Sequence, residues 1–324
     1  MSWIVLAIVG ILIADFAVRA FYVRLILPQF EAKPPFNVVN HPADSQAESV
    51  SVVTRDGVRL RGAVHRATEG PVRGVVLFFP ELDGNHWSAS HYGEGLISAG
   101  FDVVSFDFRG QGDSDSLAGY TPNHWPTNYE LRDAAAMLQW VTEQPEWQSL
   151  PVGGFGISRG SVIGLMAVAD FPRVRAFCGE GTYTISRLLE HFTLRWAQLY
   201  LPTFVLRFLP LWHLRLTLWL ARLCSEWRRG VRYAIVERRL PALRKTPVLL
   251  IAGERDTYVH PTVTKSIVDS IGTPTATLWE VPDAKHNQAR EAVGAEYDRR
   301  LVSLFSAMAP QPTDRGATLV SAEL

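Results

Sequence analysis

Cysteine is scarce in this chain of 324 residues, which holds only Cys178 and Cys224. One falls in a predicted strand and the other in a helical region, so two buried or free thiols are expected rather than a disulfide scaffold. No Cys/His cluster has zinc-ligand spacing, which predicts no metal site. Net charge is also missing, because 32 basic and 32 acidic side chains cancel. We therefore expect no general nucleic-acid binder.

The longest apolar stretch lies at the N-terminus. It is unbroken from Trp3 to Ala14 and continues to Leu27 across three charged residues, Asp15, Arg19 and Arg24. Asp15 and Arg19 are four residues apart and are placed to pair on one helical face. We expect residues 1–27 to form a membrane-anchor helix, with a cleaved signal peptide or a helix packed on the domain as alternatives. Because basic residues follow the run, the positive-inside bias predicts that the rest of the chain is cytoplasmic.

After a Pro-rich, polar linker at 28–47, apolar and helical segments alternate. The stretch 50–64 alternates apolar and polar residues around Asp56-Gly57, which is a hairpin signal. Short apolar runs predict strands at 74–79, 101–106, 174–178, 247–252 and 276–281. Helical patterns lie at 87–99, 129–144, 261–271 and 287–308. Since 47% of the residues are hydrophobic, a sizeable core is expected, and the alternation predicts a mostly parallel sheet with helices on both faces.

The segment Gly156-Ile157-Ser158-Arg159-Gly160 lies between a predicted strand and a predicted helix. Strand, tight turn and helix is the context in which Gly-x-Ser-x-Gly forms a nucleophile elbow. Such a turn strains the backbone of Ser158 and is tolerated only where the residues two positions away lack side chains. In return the hydroxyl projects clear of the sheet, and the helix N-terminus offers N–H groups to a developing oxyanion.

A serine hydroxyl becomes a nucleophile only when a base takes its proton and a third group orients that base. Asp256 and His286 follow the predicted strands 247–252 and 276–281, so both are expected at the carboxyl edge of the sheet. Glu180 also follows a strand and is an alternative acid. His260 shares a loop with Asp256 and is interpreted as a residue that begins a helix.

Four motifs, in this order along the chain, resemble those of the α/β-hydrolase family, and in particular its monoacylglycerol-lipase-like and serine-aminopeptidase-like serine hydrolases. They are the turn Asp107-Phe-Arg-Gly-Gln-Gly-Asp-Ser114, the elbow around Ser158, the loop Gly253-Glu-Arg-Asp256, and Lys285-His286-Asn287. The resemblance covers roughly residues 50–308 apart from one insert. It implies an α/β-hydrolase fold without a metal or organic cofactor.

The resemblance also implies roles for single residues. Ser158 would be the nucleophile, His286 the general base and then acid, and Asp256 the group that orients the imidazole. The backbone N–H of Arg159 would be one oxyanion donor. The second donor comes from a loop in which the family usually has His-Gly and this chain has Pro80-Glu81; by position we expect the N–H of Leu82. Three further residues are predicted to bind substrate: Glu81, His86 and Trp212.

An insert at 184–240 interrupts the alternation and is rich in Leu, Trp, Phe and Arg. In the family an insert at this place forms a cap over the site, which implies a lid. Its apolar, aromatic and basic composition suits a lipid interface, although packing of the cap on the core would use the same apolar residues.

These observations divide the chain into an anchor helix (1–27), a linker (28–47), a hydrolase core (48–183 and 241–308), a helical cap (184–240) and a flexible tail (309–324). The expected function is a membrane-associated serine hydrolase that cleaves a carboxylic ester of a lipid or other apolar acyl compound. A thioesterase, a peptidase, an acyltransferase and a non-catalytic membrane partner of the same fold remain alternatives. The sequence predicts no oligomeric state.

Overall fold

Apolar runs bounded by glycine, proline and polar turns form the strands of one eight-stranded sheet. The computed structural model describes residues 2–33, 38–200 and 210–308. The strands are β1 (Glu48–Val53), β2 (Arg59–His65), β3 (Gly74–Phe79), β4 (Phe101–Phe106), β5 (Val152–Ile157), β6 (Val174–Glu180), β7 (Val248–Gly253) and β8 (Ala276–Val281). Their order is β1-β2-β4-β3-β5-β6-β7-β8.

Most of the sheet is parallel, as the alternation of segments predicted. β2 pairs antiparallel with β1 and with β4, and the pairs from β4 to β8 are all parallel. The parallel strands β3 to β7 are almost entirely buried, which agrees with their near-continuous apolar sequences. Because parallel strands end at the same edge, the loops after β3, β5, β7 and β8 lie at one edge of the sheet.

Helices cover both faces of this sheet. They are α1 (Ser2–Glu31), α2 (Ser88–Tyr92), α3 (Glu94–Ser98), α4 (Asn128–Glu143), α5 (Ser158–Asp170), α6 (Ile185–Tyr200), α7 (Leu211–Arg229), α8 (Pro261–Ile271) and α9 (Ala289–Ser306). The helix predicted at 87–99 is in fact two short helices separated by Gly93. One core cluster includes residues of α4, α5 and α8, and a second includes residues of α2, α3 and α9.

The N-terminal helix is longer than the sequence predicted and ends inside the folded domain. It runs through Pro28 to Glu31 rather than ending at 27. Phe30 is 2% exposed, and its ring stacks on Trp125 at 5.0 Å and meets Tyr233 edge-on at 5.4 Å. The Trp125 indole N–H donates to the Phe30 carbonyl oxygen at 2.6 Å. Most side chains before residue 26 are exposed, and Trp3–Glu31 is long and apolar enough to cross a membrane.

The cap predicted at 184–240 contains α6 and α7 and a return segment that pairs with the core. The Asn128 N–H donates to the Arg232 carbonyl at 2.9 Å, and the Ala234 N–H donates to the Pro126 carbonyl at 2.9 Å. These bonds flank a bridge between Thr127 and Tyr233. Parts of the predicted linker, cap and tail lie outside the described residues, at 34–37, 201–209 and 309–324.

The docked end of α1 leads to a stability prediction. We expect Phe30→Ala to lower the free energy of unfolding by about 3–5 kcal/mol, because it leaves a cavity between Trp125 and Tyr233. Phe21→Ala is the matched control, since Phe21 is on the same helix and is 60% exposed. Denaturant unfolding in detergent measures both. Equal losses in the two variants would contradict the docking of the helix end.

Candidate active site

The turn between β5 and α5 holds Ser158 in a strained conformation. Its φ is +49°, a region that residues with side chains rarely adopt. A Cβ on Gly160 would overlap the carbonyl oxygens of Phe79 and Pro80, and a Cβ on Gly156 would lie 2.7 Å from the Ser161 Cα. Both glycines are therefore required by close backbone approach, as the elbow prediction proposed.

Three side chains predicted as a unit are brought together. The Ser158 Oγ lies 3.0 Å from His286 Nε2, and His286 Nδ1 lies 2.7 Å from Asp256 Oδ2. The other carboxylate oxygen of Asp256 accepts the N–H groups of Tyr258 and Val259, both at 2.8 Å. The acid is thus fixed by its own loop while it faces the imidazole. This arrangement can pass a proton from the hydroxyl to a ring held in one orientation.

Glu180, the alternative acid, has other partners. Its Oε1 accepts the Ala289 N–H at 2.9 Å, and its Oε2 accepts the Tyr297 hydroxyl at 2.8 Å. Burial raises the pKa of Glu180 to about 7. The Tyr92 hydroxyl donates to the Asn287 carbonyl at 3.3 Å. Glu180 and Tyr92 therefore secure the chain directly after His286, between the imidazole and α9.

A buried ion pair connects the elbow to α4. The Arg159 Nη2 lies 2.7 Å from Glu130 Oε1, and both side chains are almost fully enclosed. Glu130 also caps the start of α4, because its Oε2 accepts the Thr127 N–H at 2.9 Å and the Thr127 hydroxyl at 2.7 Å. The Tyr120 hydroxyl donates to the same carboxylate. Sequence reasoning assigned Arg159 only through its backbone N–H, but the spacing Thr127-x-x-Glu130 was a readable capping signal.

The Asp107–Ser114 turn is organised by its first residue. The Asp107 carboxylate accepts the His86 N–H at 2.6 Å and the Asp113 N–H at 2.8 Å, and lies 2.8 Å from His86 Nδ1. Asp107, His86 and Asp113 offer ligand atoms within 4.8 Å of one another, close enough for a metal ion. The hydrogen bonds of Asp107 to His86 and Asp113 stabilise this turn, and they explain why the three side chains lie close together. Next to it, Arg109 pairs with Asp133 at 2.7 Å.

The residues predicted for the oxyanion and substrate lie in several different surroundings. Arg159 is in the first turn of α5, where its N–H lacks an intrahelical acceptor. Leu82 is half-buried. It follows Phe79 and Pro80, whose carbonyl oxygens lie against Gly160 of the elbow. Glu81 is enclosed within that loop, and burial raises its pKa to about 7. His86 is buried against Asp107.

Trp212, also predicted to bind substrate, is not part of this cluster. It is 64% exposed at the start of α7, and its ring lies 5.5 Å from the Arg19 guanidinium of the N-terminal helix. This contact connects the start of α7 with α1, and the predicted role of Trp212 in substrate binding stays a prediction.

A groove of about 850 Å³ opens on the outer side of the acid loop. It lies between α6 and the loops after β7 and β8, and Asp256 and Lys285 form part of its wall. His191 and His260 stack across it with ring centroids 5.4 Å apart. His260 also caps the N-terminus of α8, which agrees with its interpretation as a residue that begins a helix.

Comparisons with known proteins support the fold. Residues 70–220 match the family described as serine aminopeptidase, S33. An esterase of Pyrococcus furiosus superposes with a TM-score of 0.61 at 20% identity, over 85% of this chain and 99% of that one. An esterase from an Arctic intertidal metagenomic library gives 0.54 at 17% identity, over 82% and 99%. GrgF from Penicillium sp. sh18 gives 0.58 at 15% identity, over 80% and 97%. A comparison with curated proteins found no match.

Glu180 leads to a prediction about pH. The pKa of Glu180 in the folded protein is about 7, above the ordinary value of 4.5, so the folded state holds this proton more tightly than the unfolded state. The resulting stabilisation is complete below the unfolded pKa and is lost as pH rises through the folded pKa. Between about pH 5 and 8 we expect the free energy of unfolding to fall more in the wild type than in Glu180→Gln.

Denaturant unfolding at several pH values measures the difference. Glu280→Gln, at an exposed position of β8, is the matched control and should retain the wild-type slope. A Glu180→Gln slope equal to that of the wild type would contradict a buried carboxyl that titrates near neutral pH.

Proposed function

Because the chain has the α/β-hydrolase fold that these structures share, we propose that it is a membrane-associated serine hydrolase that cleaves a carboxylic ester. The observation that carries the proposal is the pair of contacts Ser158 Oγ to His286 Nε2, at 3.0 Å, and His286 Nδ1 to Asp256 Oδ2, at 2.7 Å. The strained serine and the enclosed carboxylate give these contacts a fixed geometry before substrate arrives.

The reaction follows from these contacts. His286 takes the hydroxyl proton as Ser158 attacks the ester carbonyl carbon, and the carbonyl oxygen becomes an oxyanion that accepts hydrogen bonds from the N–H groups of Arg159 and Leu82. His286 then gives the proton to the leaving alcohol, which produces an acyl-enzyme. His286 then takes a proton from water as the water attacks the acyl carbon, and returns it to the Ser158 oxygen as the bond to the acyl group breaks and the carboxylic acid leaves. Asp256 keeps the imidazole oriented and stabilises its cation throughout.

Two observations favour a lipid or other apolar acyl ester as the substrate. The cap exposes large apolar side chains, including Trp196, Leu211 and Trp219, and the N-terminal helix is long and apolar enough for a bilayer. Two of the similar structures are described as esterases.

The basic residues that follow the apolar run favour a cytoplasmic catalytic domain.

A peptidase is the second candidate, because the family matched by residues 70–220 is described as a serine aminopeptidase. Ester and amide cleavage pass through the same tetrahedral chemistry, so the triad favours neither. Turnover of p-nitrophenyl esters of increasing chain length, of acyl-CoA and of amino-acid anilides separates the candidates. Faster turnover of the anilides would favour the peptidase.

The nucleophile leads to the first test of the mechanism. A fluorophosphonate probe should label the wild type and should fail to label Ser158→Ala, because only an activated serine attacks the phosphorus. Ser161→Ala is the matched control on the same helix and should keep its label. Labelling that persists in Ser158→Ala would refute the proposal. A wild type that is never labelled would favour a non-catalytic partner protein.

The choice of acid leads to a second test. We expect Asp256→Asn to lower kcat for a soluble ester by about 10⁴-fold, since it no longer holds the imidazole in the reactive tautomer. Glu180→Gln keeps partners for Ala289 and Tyr297 and should lower kcat far less. A larger loss in Glu180→Gln than in Asp256→Asn would reverse the assignment of the acid.

A further inference from the structure

Four polar side chains join the N-terminal helix to the cap. We call Asp15, Arg19, His213 and Thr217 the Arg19 clasp. The Arg19 Nε donates to Asp15 at 2.6 Å, and its Nη1 donates to the His213 carbonyl at 2.9 Å and to the Thr217 hydroxyl at 3.1 Å. Its Nη2 lies 2.9 Å from His213 Nδ1. Arg19 is only 3% exposed, so this guanidinium is satisfied inside the protein.

The contacts further along show that α1 and α7 lie side by side in parallel. The Ser225 hydroxyl donates to Glu31 at 2.8 Å, and Arg228 lies 3.7 Å from the same carboxylate. Arg19 therefore meets the first turns of α7 and Glu31 meets its last turns. It follows that Leu211 and Trp212, at the start of α7, lie level with the apolar half of the anchor.

The length of α1 before the clasp determines how deep in a bilayer the start of α7 would lie. Among the described residues, the apolar stretch Trp3–Ala14 precedes the clasp, and its 12 helical residues span about 18 Å. A hydrocarbon core is about 30 Å thick. If α1 crosses a bilayer, lipid must therefore reach the clasp and the first turns of α7. A charged residue at such a place requires internal partners, and the clasp provides them.

The surface of α7 at this level suits lipid. Leu211, Trp212 and Leu216 are exposed there, and tryptophan is enriched where a bilayer meets water. Arg215 lies among them, and its Nε pairs with Glu190 at 3.0 Å. This pair gives the Arg215 charge a partner within the protein at that level.

We propose that the first two turns of α7 enter the bilayer beside α1, and that the Arg19 clasp couples the anchor to the cap. The inference rests on the proposed membrane association and deepens it. The anchor is then more than a tether: it positions the cap so that an acyl substrate passes from the lipid layer to Ser158 beneath the cap.

Depth measurement tests the insertion directly. The full chain carrying Cys224→Ser and Leu211→Cys is labelled with an environment-sensitive dye and reconstituted into vesicles of phosphatidylcholine and phosphatidylglycerol. Spin-labelled lipid should quench the dye at position 211. The matched control is Ser270→Cys on α8, at an exposed site of the core, which should not be quenched. Equal quenching at both positions, or none at 211, would overturn the insertion.

A comparison of substrates tests the coupling. Arg19→Met should lower turnover of a long-chain ester embedded in the vesicles about tenfold more than turnover of a soluble butyrate ester. Arg24→Met removes an exposed charge from the same helix and should leave the ratio of the two rates unchanged. If both rates fall together in Arg19→Met, or neither changes, the coupling is refuted.

The two proposals fail in different ways. Absence of fluorophosphonate labelling at Ser158 would refute the hydrolase function and leave the quenching result valid. Labelling without quenching at position 211 would keep the enzyme and remove the inserted cap.

Discussion

The close approach between the elbow and the end of β3 is the constraint on which the site depends. Gly160 lies directly against the carbonyl oxygens of Phe79 and Pro80, so the start of α5 and the candidate oxyanion loop share one contact surface. Ser158 takes its left-handed backbone conformation at this point. The strain is tolerated because a buried parallel sheet fixes both ends of the turn. Any widening of this contact would change the distance between the Ser158 turn and the candidate oxyanion loop.

Two buried ion pairs connect the elbow and the turn after β4 to α4. The pair of Arg159 and Glu130 joins the elbow to α4, and the pair of Arg109 and Asp133 joins the turn after β4 to the same helix. Ion pairs of this kind add little net stability compared with apolar packing, but removing one partner is costly. Loss of Glu130 or Asp133 would therefore leave an uncompensated buried arginine beside the elbow or beside the turn after β4.

The sequence predicted those features that local chemistry encodes. β3, β4, β8 and α8 agree with their predicted bounds, and the α/β-hydrolase fold is confirmed. The contacts of Ser158, Asp256 and His286 agree with the expected order, since each follows a recognisable strand. Their catalytic roles stay predictions.

Features that depend on distant packing were not predicted correctly. The sequence around Leu27 gives no sign that α1 continues to Glu31, because the continuation depends on Phe30 packing on Trp125, which is far away in the chain. The contact of Trp212 with Arg19 was not predicted either, and the substrate-binding role of Trp212 stays a prediction. The segment 201–209 and the tail 309–324 lie outside the described residues, so the predictions made for them stay predictions.

The return segment of the cap has a mechanical consequence. Residues 232–234 add a short antiparallel ladder to the residues that begin α4, and Glu130 in that helix start holds Arg159 of the elbow. This end of the predicted cap is therefore connected, through the start of α4, to the turn that holds Ser158. A movement of the predicted cap that displaced residues 232–234 would break these two backbone hydrogen bonds to the start of α4.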